Sequence, residues 1–114
     1  MPLTALGLRR VDVYLNTVYF VCMTWVVENS KKVAKALTRL PKSIVCALIL
    51  LERELESSGP VRGNWSNYGK LGDGRHHCHL KKGKSTYVAV WIEVRGRVKV
   101  IEVTYVGTHE GASY

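Results

Sequence analysis

A chain of 114 residues with 46% hydrophobic and 23% charged side chains is expected to form one globular domain with its own core. That composition excludes general disorder and leaves no room for two full domains. Seventeen Lys/Arg against nine Asp/Glu give a net charge of +8: residues 61–114 hold nine cations against four anions, residues 1–60 eight against five. The more basic second half is expected to face a polyanion, nucleic acid first and an acidic protein second.

The first 22 residues carry Arg9-Arg10 before a largely apolar stretch, but Asp12 and Asn16 interrupt it and no small-residue cleavage site follows. Its longest uninterrupted apolar run, Val18 to Met23, falls far short of the roughly 20 residues of a membrane span. No targeting segment and no membrane contact are expected. Three cysteines, Cys22, Cys46 and Cys78, are an odd set without framework spacing, which fits reduced thiols in the cytoplasm.

Thr24 to Glu28 is a short β-rich run, and Asn29-Ser30 offers an N-cap. Val33, Ala36, Leu37 and Leu40 then recur at helical spacing, with Lys31, Lys32, Lys35 and Arg39 on other faces. Pro41 suits the first turn of a new helix, so Leu40-Pro41-Lys42-Ser43 predicts a tight junction into a second helix ending near Ser57. Ile44, Leu48, Leu51 and Leu55 form its stripe. Val45, Ile49 and Leu50 add more apolar surface than one packing face needs, which means either burial on a second side or a groove for a partner segment.

Gly59-Pro60 closes the helical half, and residues 61–74 read as a Gly-, Asn- and Ser-rich loop carrying Trp65 and Tyr68. Next comes Arg75-His76-His77-Cys78-His79-Leu80-Lys81. Alternation predicts a strand with His77, His79 and Lys81 on one face and Cys78 and Leu80 on the other, His76 lying opposite His77. Residues 82–85 form a turn, Thr86 to Val94 a strand, Arg95-Gly96 a hairpin turn, and Arg97 to Val106 the return strand, with His109 just past it. The expected fold class is α+β: an N-terminal strand and two helices packed on an antiparallel sheet that ends in a three-stranded meander.

Imidazoles among cations, with few carboxylates, suit phosphodiester chemistry. RNA carries its own nucleophile, so a base at the 2′-OH, an acid at the departing 5′-oxygen and cations around the phosphorus suffice, and an imidazole with a pKa near 6.5 serves either proton transfer. His77, His79 and His109 as three zinc ligands are the competing reading, and plain surface histidines the bland one. The zinc arrangement has no specific spacing, no nearby carboxylate to orient the rings, and adjacent lysines that repel a dication. No cofactor or metal is expected.

Leu40-Pro41-Lys42-Ser43, Gly63-Asn64-Trp65, Arg75-His76-His77-Cys78-His79-Leu80 and Tyr105-Val106-Gly107-Thr108-His109-Glu110 with terminal Tyr114 resemble the RelE/YafQ group of bacterial toxins. The resemblance covers Met23 to Tyr114. It implies the RelE-like fold and the activity of a messenger-RNA interferase, a ribosome-associated endoribonuclease of a type II toxin–antitoxin system. Its implied partners are mRNA, the ribosome and a cognate antitoxin. By motif, His77, His79, His109 and Tyr114 stand where the family keeps catalytic groups. On charge alone, Arg75, Lys81, Lys82 and Lys84 are the expected RNA-binding cations. The family's Arg or Asp after the histidine strand has no clean counterpart at Gly83-Lys84-Ser85. Residues 1–22 have no counterpart either, so a domain 23–114 preceded by an extension, or a natural start at Met23, is expected. The alternatives are a non-nucleolytic toxin like the ParE branch, which inhibits a topoisomerase, and a basic RNA-binding module.

Overall fold

The computed structural model describes residues 25–81 and 86–112, so expectations for residues 1–22, for the 82–85 turn with Lys82 and Lys84, and for Tyr114 lie outside the described residues. Strand β1 (Val26–Asn29) leads into Ser30, whose hydroxyl accepts from Val33 N at 3.1 Å and so caps the short helix α1 (Lys31–Ala36). The expected helical stripe runs on to Leu40, but residues 37–40 are turns, because Pro41 leaves the chain no route to continue. Helix α2 (Lys42–Ser58) starts immediately after Pro41 and ends at Gly59. At φ 91°, Gly59 adopts a conformation that favours glycine, and a Cβ there would sit 3.0 Å from the Trp25 indole nitrogen.

Strands β2 (Gly69–Gly72), β3 (Arg75–Lys81), β4 (Tyr87–Glu93) and β5 (Val100–Thr108) complete a five-stranded sheet in the order β1-β5-β4-β3-β2. β3, β4 and β5 are consecutive antiparallel neighbours. Two features correct the sequence reading. The sheet is mixed, since β1 lies parallel to β5 with Val26 beside Val100, a pairing that a helical crossover permits and a hairpin does not. And the 61–74 loop contains a strand, β2, antiparallel to β3.

Both helices cover one face of the sheet. Ile44, Leu48, Leu51 and Leu55 of α2 and Val33 of α1 are buried against Cys78, Ala89, Trp91, Ile101, Val103 and Val106. Of the surplus apolar residues of α2, Val45 is half-buried, while Ile49 and Leu50, at 46% and 59% exposed, are left outside this core. No helix among the described residues is long and apolar enough to cross a membrane.

His76 belongs to the core face and is 2% exposed. Its Nδ1 is 2.7 Å from Tyr68 Oη, its Nε2 is 2.9 Å from Glu93 Oε2, and its ring lies parallel to Trp91. A second anchor holds the preceding loop: Glu54 Oε1 accepts from Trp65 Nε1 (2.8 Å), Asn64 Nδ2 (2.9 Å) and Arg62 Nη1 (3.2 Å). The Asn64 and Trp65 donors, with smaller help from Arg62, outweigh burial and hold this carboxyl below its usual range. Cys78 is buried, which pushes its thiol up to about 12 and leaves it inert at neutral pH.

Candidate functional site

The face of the sheet away from the helices carries the histidines. Strand alternation puts Arg75, His77 and His79 on it, and register extends each position into a row across three strands: Arg75–Ile92–Glu102, His77–Val90–Tyr105 and His79–Val88–Gly107. Val88 and Val90, both buried, floor the region between the polar groups. Lys81 does not join the series. A β-bulge after His79 sets Lys81 opposite Tyr87, a residue of the helix-side face, so the expected grouping of Lys81 with His77 and His79 is overturned by the inserted residue.

His109 opens a 3-10 turn (His109–Gly111) directly after β5, and its backbone N–H donates to Thr86 O at 2.8 Å, which ties the turn to the start of β4. This returns the ring to β3: the His79 and His109 ring centroids are 5.7 Å apart, edge to face. His79 is fixed from its other side by the 62–68 loop. Its backbone N–H donates to Ser66 O at 2.7 Å, and Asn67 Nδ2 lies 3.2 Å from its Nε2. Asn67 holds φ at 54°, a left-handed conformation that Asn tolerates better than most residues.

His77 crosses to β2. Its Nε2 lies where a Cβ on Gly69 would be, at 2.9 Å, so glycine at 69 makes room for the ring. Burial, and after it the nearby His109, hold His77 below its ordinary pKa. It is therefore a neutral side chain at neutral pH.

Sequence reasoning missed Tyr105, Asn67 and Lys32. Tyr105 Oη donates to Thr108 O at 2.8 Å, and the hydroxyl occupies space that a Cβ on Gly107 or Gly111 would claim, at 2.6 and 2.7 Å. The two glycines bracketing His109 were the available signal. Lys32 Nζ stands 6.0 Å from the centre of the Tyr105 ring. With Arg75, Val90, Thr104 and Gly111, these two residues line a cleft of about 230 Å³.

The site thus brings together His77, His79, His109 and Arg75, places Lys81 outside their row, and gains Asn67, Tyr105 and Lys32. Among the described residues no three His, Cys, Asp or Glu side chains are arranged to hold a metal ion, so the three-imidazole zinc alternative lacks its geometry.

No family model and no curated protein matches the chain. Among solved structures, a chain of the crystal structure of the archaeal RelE-RelB complex from Pyrococcus horikoshii OT3 matches with a TM-score of 0.53 at 22% identity, over 79% of this chain and 100% of that chain. The fold is RelE-like.

Proposed function

We propose that this chain is the toxin of a type II toxin–antitoxin pair, a YafQ-like messenger-RNA interferase that cleaves mRNA on the ribosome in the cytoplasm, with its functional domain beginning at Met23. The observation that carries this reading is the His79–His109 pair: two imidazoles on separate elements, with ring centres 5.7 Å apart on the open face of a RelE-like sheet. Separately anchored rings can address two different oxygens of one phosphodiester, which in-line cleavage requires.

In this mechanism neutral His79 takes the proton from the ribose 2′-OH, and that oxygen attacks the adjacent phosphorus. Protonated His109 gives its proton to the departing 5′-oxygen. The P–O5′ bond breaks as the P–O2′ bond forms, leaving a 2′,3′-cyclic phosphate and a 5′-hydroxyl. The Asn67 amide donates to His79 Nε2 and occupies its lone pair, so the ribose 2′-OH must displace Asn67 before His79 can accept the proton. Arg75, four residues along the same face from His79, adds positive charge that draws the RNA backbone onto the sheet. His77, neutral and seated on Gly69, shapes the floor beside the reacting groups.

The cognate antitoxin is proposed as an acidic segment that orders on the basic surface and covers the exposed Ile49 and Leu50 of α2. The test is radiolabelled mRNA in a translation extract, with and without EDTA. Cleavage that survives chelation and leaves cyclic phosphate ends is the expected result. Absence of cleavage with ribosomes present refutes the nuclease assignment and favours a non-nucleolytic toxin.

A further inference from the structure

The cleft of Lys32, Arg75, Val90, Thr104, Tyr105 and Gly111 is not used by the proton-transfer pair. Two cations and an aromatic ring meet there, drawn from three elements far apart in sequence: α1, β3 and β5. Among the described residues neither Lys32 nor Arg75 is ion-paired, whereas Arg62 and Arg97 each hold a glutamate. Lys32 instead extends past the rim of the sheet toward the Tyr105 ring. The ring itself is locked, because its hydroxyl donates to Thr108 O and its tip sits against Gly107 and Gly111. A preset aromatic surface beside two unneutralised cations is the combination that single-stranded nucleic acid uses, with the ring for a base and the cations for phosphate.

Position along the sheet decides which nucleotide it would take. Arg75 precedes His77 by two residues and His79 by four on the same face, and Tyr105 lies in the His77 row. Each two-residue step is about 6.6 to 6.8 Å, comparable with the separation of successive phosphates in an extended single strand. A strand whose scissile phosphate lies between His79 and His109 therefore reaches the cleft with a nucleotide flanking the cleavage point.

We infer that the Lys32–Arg75–Tyr105 cleft is a second RNA subsite, binding the phosphate of a flanking nucleotide through Lys32 and Arg75 and its base against Tyr105. This deepens the nuclease reading and rests on it for the choice of ligand. It also makes Lys32, on a helix outside the sheet, a determinant of substrate affinity.

The test is fluorescence anisotropy of a labelled single-stranded RNA hexamer carrying 2′-O-methyl riboses, which cannot be cleaved, titrated with the full chain over a range of salt. Binding is thereby read apart from catalysis, so a His79→Ala chain that no longer cleaves still reports on the cleft, and an intact cleft response with no cleavage by wild type sinks only the nuclease reading. Lys32→Gln and Arg75→Gln should each flatten the log–log salt dependence by about 0.7, the loss of one phosphate contact on a single strand. Tyr105→Leu should weaken binding about 5- to 100-fold, the size of one base–aromatic stack, while Tyr105→Phe keeps the ring and should retain binding. Arg53→Gln, on α2, is the control and should leave the slope unchanged. The subsite is overturned if Lys32→Gln and Arg75→Gln leave the slope at its wild-type value, or if Arg53→Gln reduces it equally. Lys32 is an exposed residue of α1, so this outcome is readable even where Tyr105→Leu fails to fold.

Discussion

His76→Ala separates the structural histidine of β3 from the chemical ones. The substitution empties a fully enclosed ring site beneath Trp91 and removes two hydrogen bonds, of 2.7 Å to Tyr68 and 2.9 Å to Glu93. Glu93 is 44% exposed and can return to water at little cost, but the part-buried Tyr68 hydroxyl loses its partner, at about 1 kcal/mol. The void adds about 1 to 3 kcal/mol, less than truncating a buried aliphatic residue of similar size because imidazole loses little transfer free energy, so the total loss is about 2 to 4 kcal/mol. For a domain of this size that lowers the melting temperature by about 8 to 16 °C. The assay pairs a thermal melt with mRNA cleavage measured well below the midpoint, expressed per folded molecule. Expected is a large fall in Tm with cleavage close to wild type, because His76 points away from the face that carries His79. A Tm within about 3 °C of wild type refutes the buried-network argument. Cleavage per folded molecule reduced as far as in His79→Ala refutes the assignment of proton transfer to the opposite face.

His79→Ala and His109→Ala should each lower the cleavage rate by about 10²- to 10⁴-fold with unchanged melts, the usual worth of one general acid or base; near-full cleavage by His109→Ala removes it from the reaction. His77 gives a pH signature. Its folded pKa lies below the unfolded value of 6.5, so the unfolded chain binds more protons between the two; stability therefore falls as pH drops through that window and levels off below the folded pKa. His77→Gln should flatten this slope in urea melts taken at stepped pH, and an unaltered slope shows that His77 is not its source. Ile49→Lys or Leu50→Lys should reduce rescue of growth by the co-expressed antitoxin while changing stability by no more than about 0.5 kcal/mol; full rescue by both variants places the antitoxin elsewhere.

Much of this site could be read from local pattern. Period-two alternation sorts His77 and His79 from Cys78, and helical spacing finds Ile44, Leu48, Leu51 and Leu55. What escaped the sequence depends on partners distant along the chain. β2 is only Gly-Lys-Leu-Gly, with little strand propensity of its own, and it is held by pairing with β3 and by a loop moored on Glu54. A histidine beside two others gives no sign that Tyr68 and Glu93 will close over it in the core. The bulge that removes Lys81 from the row is one inserted residue, invisible to an alternation count. Lys32 reads as the solvated side of a helix until the sheet edge brings Tyr105 beneath it.

The parallel pairing of β1 with β5 also sets a timetable for synthesis. Val26 to Asn29 leave the ribosome early, yet their sheet partners are Val100 to Val103, so a nascent chain halted before Val100 has no strand on which to lay its first one. His109 comes later still, after the last strand. Such long-range closure slows folding relative to a chain of local hairpins. No product that stops before His109 carries both members of the histidine pair, so the site cannot assemble until the last strand and the turn after it have been made.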